Sequence, residues 1–217
     1  MAERRHYGQF CGLASALDVV GERWTILILR ELLIGPCRFN DIFDNLPGIG
    51  PNILTERLRM LADEGVITSE VVPNDKRGRS YRLTPLGEQL GPPILGLAHW
   101  GMGRLTEEAA STEASRAAWG FLAVQAMMDA RRIPEVTESY EFRVDGEAFH
   151  ISVEQGTAKA ARGPAPDPVL VITTDAVTFI RIGAQLVSAF DAVISGLMKA
   201  QGDPAAVLRC TTLLGLR

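Results

Sequence analysis

RFNDIFDNLPGIGPNILTERLRMLADEGVITSEVVPNDKRGRSYRL, residues 38–83, reads as two short amphipathic helices followed by a β-hairpin with a basic tip. Phe39, Ile42, Phe43 and Leu46 recur at helical spacing, and Pro47-Gly48 stops the run. Pro51 suits the first turn of a second helix, in which Leu54, Leu58 and Leu61 share one face. Gly65 closes that helix. Val66-Ile67 and Tyr81–Leu83 then flank a polar tip holding Lys76, Arg77 and Arg79. Such an arrangement sets one helix into a DNA major groove while basic side chains hold phosphates. The stretch therefore predicts a winged helix-turn-helix that binds double-stranded DNA.

Opposite its leucine stripe, the second helix is expected to expose Asn52, Thr55, Glu56 and Arg59. Asn and Arg make bidentate contacts to base edges, each worth about 1–3 kcal/mol of discrimination, so Asn52 and Arg59 are the candidates for base readout. Thr55 can meet a base or a phosphate; Glu56 can accept from cytosine or pair with a neighbouring cation. Gly50-Pro51 sits where helix-terminal amides can bind a phosphate, and Arg38 can reach the DNA backbone from the start of the first helix. Arg57 lies on the flank with Ile53 and Met60 and is expected in a structural ion pair. Lys76, Arg77 and Arg79 crowd round Gly78 with Asp75 against them, which is hard to explain as packing and is expected to serve phosphates.

Outward from this motif, Ala14–Val20 reads as a short helix broken at Gly21, and Trp24–Leu33 as a central buried helix ended by Gly35-Pro36. Thr84-Pro85 starts another helix, which Pro92-Pro93 is expected to kink or interrupt. Leu90, Ile94, Leu97, Trp100 and Leu105 offer apolar surface that a small winged domain has no means of hiding alone. The net charge of −4 looks wrong for a DNA binder until the chain is divided. Residues 1–105 balance at 12 basic and 12 acidic side chains, while residues 106–217 hold 10 basic and 14 acidic. DNA affinity follows local phosphate neutralisation, so the deficit lies away from the motif.

The segments LDVVGERWTILILRELLIGPCRFNDI (17–42), LPGIGPNILTERLRMLADEGVI (46–67), YRLTPLG (81–87) and Trp100 together resemble the HxlR-type transcriptional regulators, a branch of the MarR-like winged-helix proteins. The resemblance spans about residues 11–105. It implies a homodimer formed through terminal helices, with two recognition helices about 34–36 Å apart on a pseudo-palindromic operator. It also places Cys11 where some members carry a redox-sensing cysteine, although the usual Cys-Pro is Cys11-Gly12 here. Such a thiol needs a lowered pKa, and Arg4, Arg5 and His6 are candidate sources of positive charge.

The rest reads as a second domain. TEEAASTEAS (106–115) is small, polar and acidic, a linker or helix extension, and Ala117–Ala130 is helical. Glu138–Val144 and Glu147–Glu154 alternate apolar and polar residues around Asp145-Gly146, a strong hairpin signal. Gln155-Gly156 turns into a third strand ending near Arg162; Val169–Thr173 is uniformly apolar and reads as interior to the sheet. Helices, a strand over Leu197–Gln201 and a terminal helix capped by Asp203-Pro204 follow. FRVDGEAFHISVEQGTAKAARGPAPDPVLVITTDAVTFIRIG (142–183) with ISGLMKAQGDPAAV (194–207) is similar to the sterol-carrier-protein type, which implies an apolar tunnel for a small hydrophobic ligand. Phe121, Met127, Phe142, Phe149, Phe179 and Phe190 are the candidate lining residues; at strand and helix spacing they serve equally well as core.

The expected fold class is thus α+β: a winged helix-turn-helix domain (1–106), a linker (107–114) and a sterol-carrier-like α/β sheet domain (115–217). The expected function is a dimeric DNA-binding transcriptional regulator answering to a hydrophobic ligand. The alternatives are thiol-based sensing through Cys11, or a hydrophobic-ligand carrier or scaffold without DNA binding. Three scattered histidines, no metal-ligand spacing and no phosphate loop give no catalytic residue, metal or cofactor to propose. No apolar run reaches the roughly 20 residues a membrane span needs, no signal peptide is visible, and three widely spaced cysteines argue against a disulfide framework, so a cytoplasmic location is expected.

Overall fold

The computed structural model describes residues 6–72 and 75–216, with side chains described at all of these except 72 and 75–77. Contact density divides the chain into two compact units, residues 1–94 and 95–217.

The first unit runs α1 (Gly12–Val20), α2 (Thr25–Ile34), β1 (Cys37–Arg38), α3 (Phe39–Asn45), α4 (Pro51–Asp63), β2 (Ile67–Val72), β3 (Asp75–Leu83), α5 (Pro85–Glu88) and the start of α6 (Gly91–Met102). Its small antiparallel sheet has the order β1-β3-β2. Ile28, Leu29 and Leu32 of α2 form the middle of the core with Ile42 and Leu46, the α4 stripe Leu54, Leu58 and Leu61, and Val66-Ile67. Burying each such side chain contributes about 1.5–3 kcal/mol, so the α4 stripe alone fixes which face of that helix is left outward. Glu31, 1% exposed, accepts from Arg30 Nε (2.8 Å) and Asn45 Nδ2 (2.9 Å) and so ties α2 to the end of α3.

Trp24 does not begin the central helix, as its apolar neighbours suggest; it precedes it in the left-handed region, φ +78°. A Cβ on Gly48 would stand 3.7 Å from its ring, so the indole packs against the turn between α3 and α4, and the Arg23 guanidinium lies over it at 5.0 Å. That packing offsets a backbone conformation costing roughly 1 kcal/mol or more. The interruption expected at Pro92-Pro93 is present: the chain breaks between α5 and α6, and the prolines fall in the first turn of α6, where no amide is required. One expectation is corrected. Leu90 and Ile94 are not free apolar surface but pack on the core; Leu97 (50%) and Trp100 (64%) remain exposed.

The second unit takes in the end of α6, α7 (Glu107–Thr112), α8 (Ala117–Met127), β4 (Glu138–Val144), β5 (Glu147–Glu154), β6 (Thr157–Arg162), β7 (Leu170–Thr174), α9 (Ala176–Gly183), α10 (Ala189–Ile194), β8 (Met198–Gly202) and α11 (Pro204–Leu213). The stretch read as a linker contains α7, because Thr106 caps it, accepting from the Ala109 amide at 3.2 Å, and Glu107 and Glu108 occupy its first turn. The five-stranded sheet has the order β6-β5-β4-β7-β8, with β4 and β7 parallel and the other pairs antiparallel. Tyr140, Phe142 and Val144 point from β4 into the core. Phe149, Phe142 and Phe179 cluster with centroids 5.4–5.6 Å apart. On the other side of β4 the buried carboxylate of Glu141 accepts from Arg143 Nε (2.6 Å) and the Ala165 amide (2.8 Å), which fastens the loop before β7 to the sheet.

Candidate nucleic-acid interface and apolar cavity

The outward face of α4 holds Asn52, Thr55, Glu56 and Arg59, all exposed, over the buried Leu54, Leu58 and Leu61. Gly50 is the N-cap and Pro51 opens the helix, so the first-turn amides are left without side-chain caps. Thr55 donates its hydroxyl to the Pro51 carbonyl at 2.9 Å. Arg59 is 69% exposed and approaches Asp63 at 3.9 Å, a contact too long to hold the guanidinium in place. Arg57 differs: its side chain is 12% exposed and pairs with Glu22 and Glu56, each at 3.1 Å, which makes it a strut between the turn before α2 and α4 and engages Glu56 within the chain.

Arg38 is exposed at the start of α3, where its amide donates to Asp41 Oδ2 (3.0 Å), and it lies opposite Ser80 of β3. Arg79 is exposed on the wing and donates to Ser69 Oγ at 3.0 Å. The side chains of Lys76 and Arg77 lie outside those described. Arg82, which the sequence reading left out, stands on the wing too but is bound to Glu70 at 2.6 Å. Asn52, Thr55, Arg59, Arg38 and Arg79 are thus all at the surface of one winged unit.

Cys11 is exposed at the N-cap of α1, and the amides of Ala14 and Leu13 lower its thiol from the ordinary value. The charge expected from histidine is directed elsewhere: His6 Nδ1 lies 3.2 Å from Asp18 Oδ2, whose carboxylate also takes the Tyr7 amide. Arg4 and Arg5 lie outside the described residues. Cys210 is fully buried, and desolvation pushes its thiol up to about 12.

The second unit encloses a cavity of about 460 Å³ between the sheet and α8–α11. Its origin lies in side-chain size. Phe142, Ile172 and Ala200 are register partners across β4, β7 and β8, and the row steps down from aromatic to methyl. All three line the cavity. Met127, Phe142, Phe179 and Phe190 of the six candidates are also lining residues. Phe121 and Phe149 are not; they pack on each other (6.0 Å, edge-to-face) at the large end of the row, where no space is left. Val207, Leu208 and the rest of α11 were missed, because their spacing is that of any amphipathic terminal helix. Phe190 (72% exposed) and Leu208 (69%) leave the cavity open to solvent on one side.

A helix-turn-helix followed by a two-stranded wing, with the second helix free on its polar face, defines the winged helix-turn-helix class. Residues 19–109 match the HxlR-like helix-turn-helix family model. An HTH-type transcriptional regulator of Synechocystis is 34% identical over 101 residues, covering 46% of this chain and 75% of that protein. One of Mycobacterium tuberculosis is 44% identical over 86 residues, 40% of this chain; the match spans 54% of the relative's own length. A solved MarR-family structure from Porphyromonas gingivalis W83 is 29% identical and covers 47% of this chain and 100% of that one, with a TM-score of 0.42. The chain belongs to the HxlR-like helix-turn-helix family. No described helix is long and apolar enough to cross a membrane.

Proposed function

We propose that the protein is a dimeric transcriptional regulator that reads double-stranded DNA with α4 and answers to a small hydrophobic ligand held in its second unit. The observation that carries the first half is the exposed Asn52–Thr55–Arg59 face on a family-typical α4, unencumbered by strong internal pairing. Asn52 and Arg59 read base edges; Thr55, Arg38, Arg79, Lys76, Arg77 and the first-turn amides that follow Gly50-Pro51 hold phosphates. Glu56, already committed to Arg57, contributes least. Dimerisation is supported by the exposed Trp100 and Leu97 on α6 and by Tyr7, Phe10 and Leu13 near the N-terminus. The second half rests on the cavity and on the mixed sheet with helices over one face, which fits a sterol-carrier-type domain.

Fluorescence anisotropy on DNA from upstream of the protein's own gene tests the DNA reading. Arg59→Ala should cost about 1–3 kcal/mol on the preferred sequence and little on random DNA. Arg79→Ala should weaken all sequences alike and reduce the salt slope by about 1 per protomer. A carrier using its winged helix for protein contacts would shift no DNA at moderate salt, and that result would end the proposal. Thiol sensing is the second reading, favoured by the exposure and amide environment of Cys11.

A further inference from the structure

A second pocket of about 490 Å³ adjoins the apolar cavity inside the second unit. Met127, Gly183 and Leu214 line both. Across those three residues the chemistry changes. On the cavity side the polar groups are the Thr211 hydroxyl and the Cys210 thiol, which stays protonated, so an ionised group there would be desolvated without a partner. On the other side stand Arg131, Arg132, His99 and Gln185. Asp129 takes Arg131 Nε at 3.0 Å and Nη2 at 3.1 Å, and Arg132 Nε lies 3.3 Å from it. Arg131 holds this carboxyl below its usual range, so it stays ionised and orients both guanidiniums. Asp129 is the one acid among the residues lining this pocket, so two guanidiniums against one carboxylate leave a net positive charge.

The partition between the two spaces is soft. A Cβ at Gly183 would stand 2.7 Å from Met102 Cε and 3.2 Å from Met127 Sδ, so only a glycine hydrogen fits between the backbone and two thioethers. Methionine side chains rotate and repack at little cost. The cavity volume also falls in the range of small-molecule sites, roughly 300–1,000 Å³.

We infer that the cavity and the basic pocket form one elongated site for a singly anionic amphiphile. Its apolar body lies among Phe142, Ile172 and Phe179, and its carboxylate over Arg131 and Arg132, with Met127 as the movable divider. The inference rests on the reading of the cavity as a ligand site and adds the class of ligand.

Displacement of the neutral dye Nile red from the full chain by decanoate and by decan-1-ol, at pH 8, tests it. Decanoate should compete at about tenfold lower concentration than the alcohol, the scale of a charge-assisted contact in a half-open site. In an Arg131→Gln/Arg132→Gln variant that ratio should fall to about one. In the wild type it should shrink as salt is raised, because the head site is partly open to solvent. Equal potency of acid and alcohol in the wild type, a ratio unchanged by salt, or a ratio unchanged in the double variant would each overturn the anionic-head assignment while leaving the cavity in place. Failure of the dye to bind at all would remove the cavity reading and this one with it.

Discussion

Replacing Arg209 with Met should destabilise the second unit by about 2–3 kcal/mol at neutral pH, and the loss should fade in acid. Arg209 of α11 grips Glu138 of β4 through two bonds, Nε–Oε1 at 2.7 Å and Nη2–Oε2 at 2.6 Å, and Nη2 reaches Asp203 at 3.1 Å. Tyr140 donates its hydroxyl to the same Glu138 carboxylate. The Glu138 side chain is 7% exposed and that of Arg209 28%. Removing one partner of a fully buried pair costs about 3–5 kcal/mol, because the other charge is left desolvated. Solvent reaches the arginine here, which lowers the figure, and the contact to the half-exposed Asp203 adds little.

The sign with pH follows from Glu138. Arg209 holds its folded pKa below the ordinary value, so its stabilising contribution is complete above the unfolded pKa of about 4.3 and is lost as pH falls through the folded value. In the Met variant the same carboxyl is buried with only Tyr140 to bond it. Its pKa rises, and protonation relieves the penalty. Wild type and variant should therefore converge progressively as pH falls, from the raised Glu138 value of the variant down through the lowered value of the wild type. Native-state hydrogen exchange at the Tyr140 and Phe142 amides reads this unit separately from the winged one. A difference that stays the same at pH 7 and pH 4 would refute the ionic account and leave only lost packing of the arginine stem.

Three further outcomes follow from local geometry. Gly87→Ala should unfold or weaken the winged unit by about 1–3 kcal/mol or more in thermal melts, since the new Cβ would meet the Val66 carbonyl at 2.1 Å; a gain, as helix propensity alone would give, would contradict the packing. Trp24→Ala should cost about 2 kcal/mol, and Trp24→Gly about 1 kcal/mol less than that, because glycine sits at φ +78° without strain; equal losses in urea titrations would deny the strain. Cys11 should alkylate with iodoacetamide at pH 7 at least about tenfold faster than Cys210, one thiol being exposed and lowered and the other buried and raised; mass spectra showing equal labelling would take Cys11 out of any sensing role.

The winged unit was legible because its signals are local and concordant. The leucine stripe at 54, 58 and 61, the proline at the first position of α4 and Gly65 at its end all name one helix and one buried face. What escaped was decided by tertiary contact. Nothing near Trp24 in sequence announces a left-handed residue; the turn at Gly48, three elements later, holds it there. The two-residue β1 has no periodicity to read, and it exists because β3 offers Cys37 and Arg38 a ladder at Tyr81 and Ser80. Leu90 and Ile94 looked like spare apolar surface because their packing on the core is a tertiary contact that no spacing along the chain announces.

The cavity was half legible for a different reason. Phe142 and Phe149 carry the same alternation on adjacent strands and face each other in register, yet only Phe142 borders the void. Periodicity reports which face of a strand is buried and is silent on whether the space above it is filled. Here that is settled across strands, by the fall in volume from Phe142 to Ile172 to Ala200, three residues separated by 30 and 28 positions in the chain. A single sequence read along its length does not align them. The strand order does, and it places the small end of the row beneath α10 and α11, whose Phe190 and Leu208 are too far outward to fill it. An apolar space left open by such a taper forgoes dispersion contacts that a larger residue at 200 would supply. An occupant that supplies them instead is bound for that same reason, which is why the taper, more than the count of aromatics, marks the site.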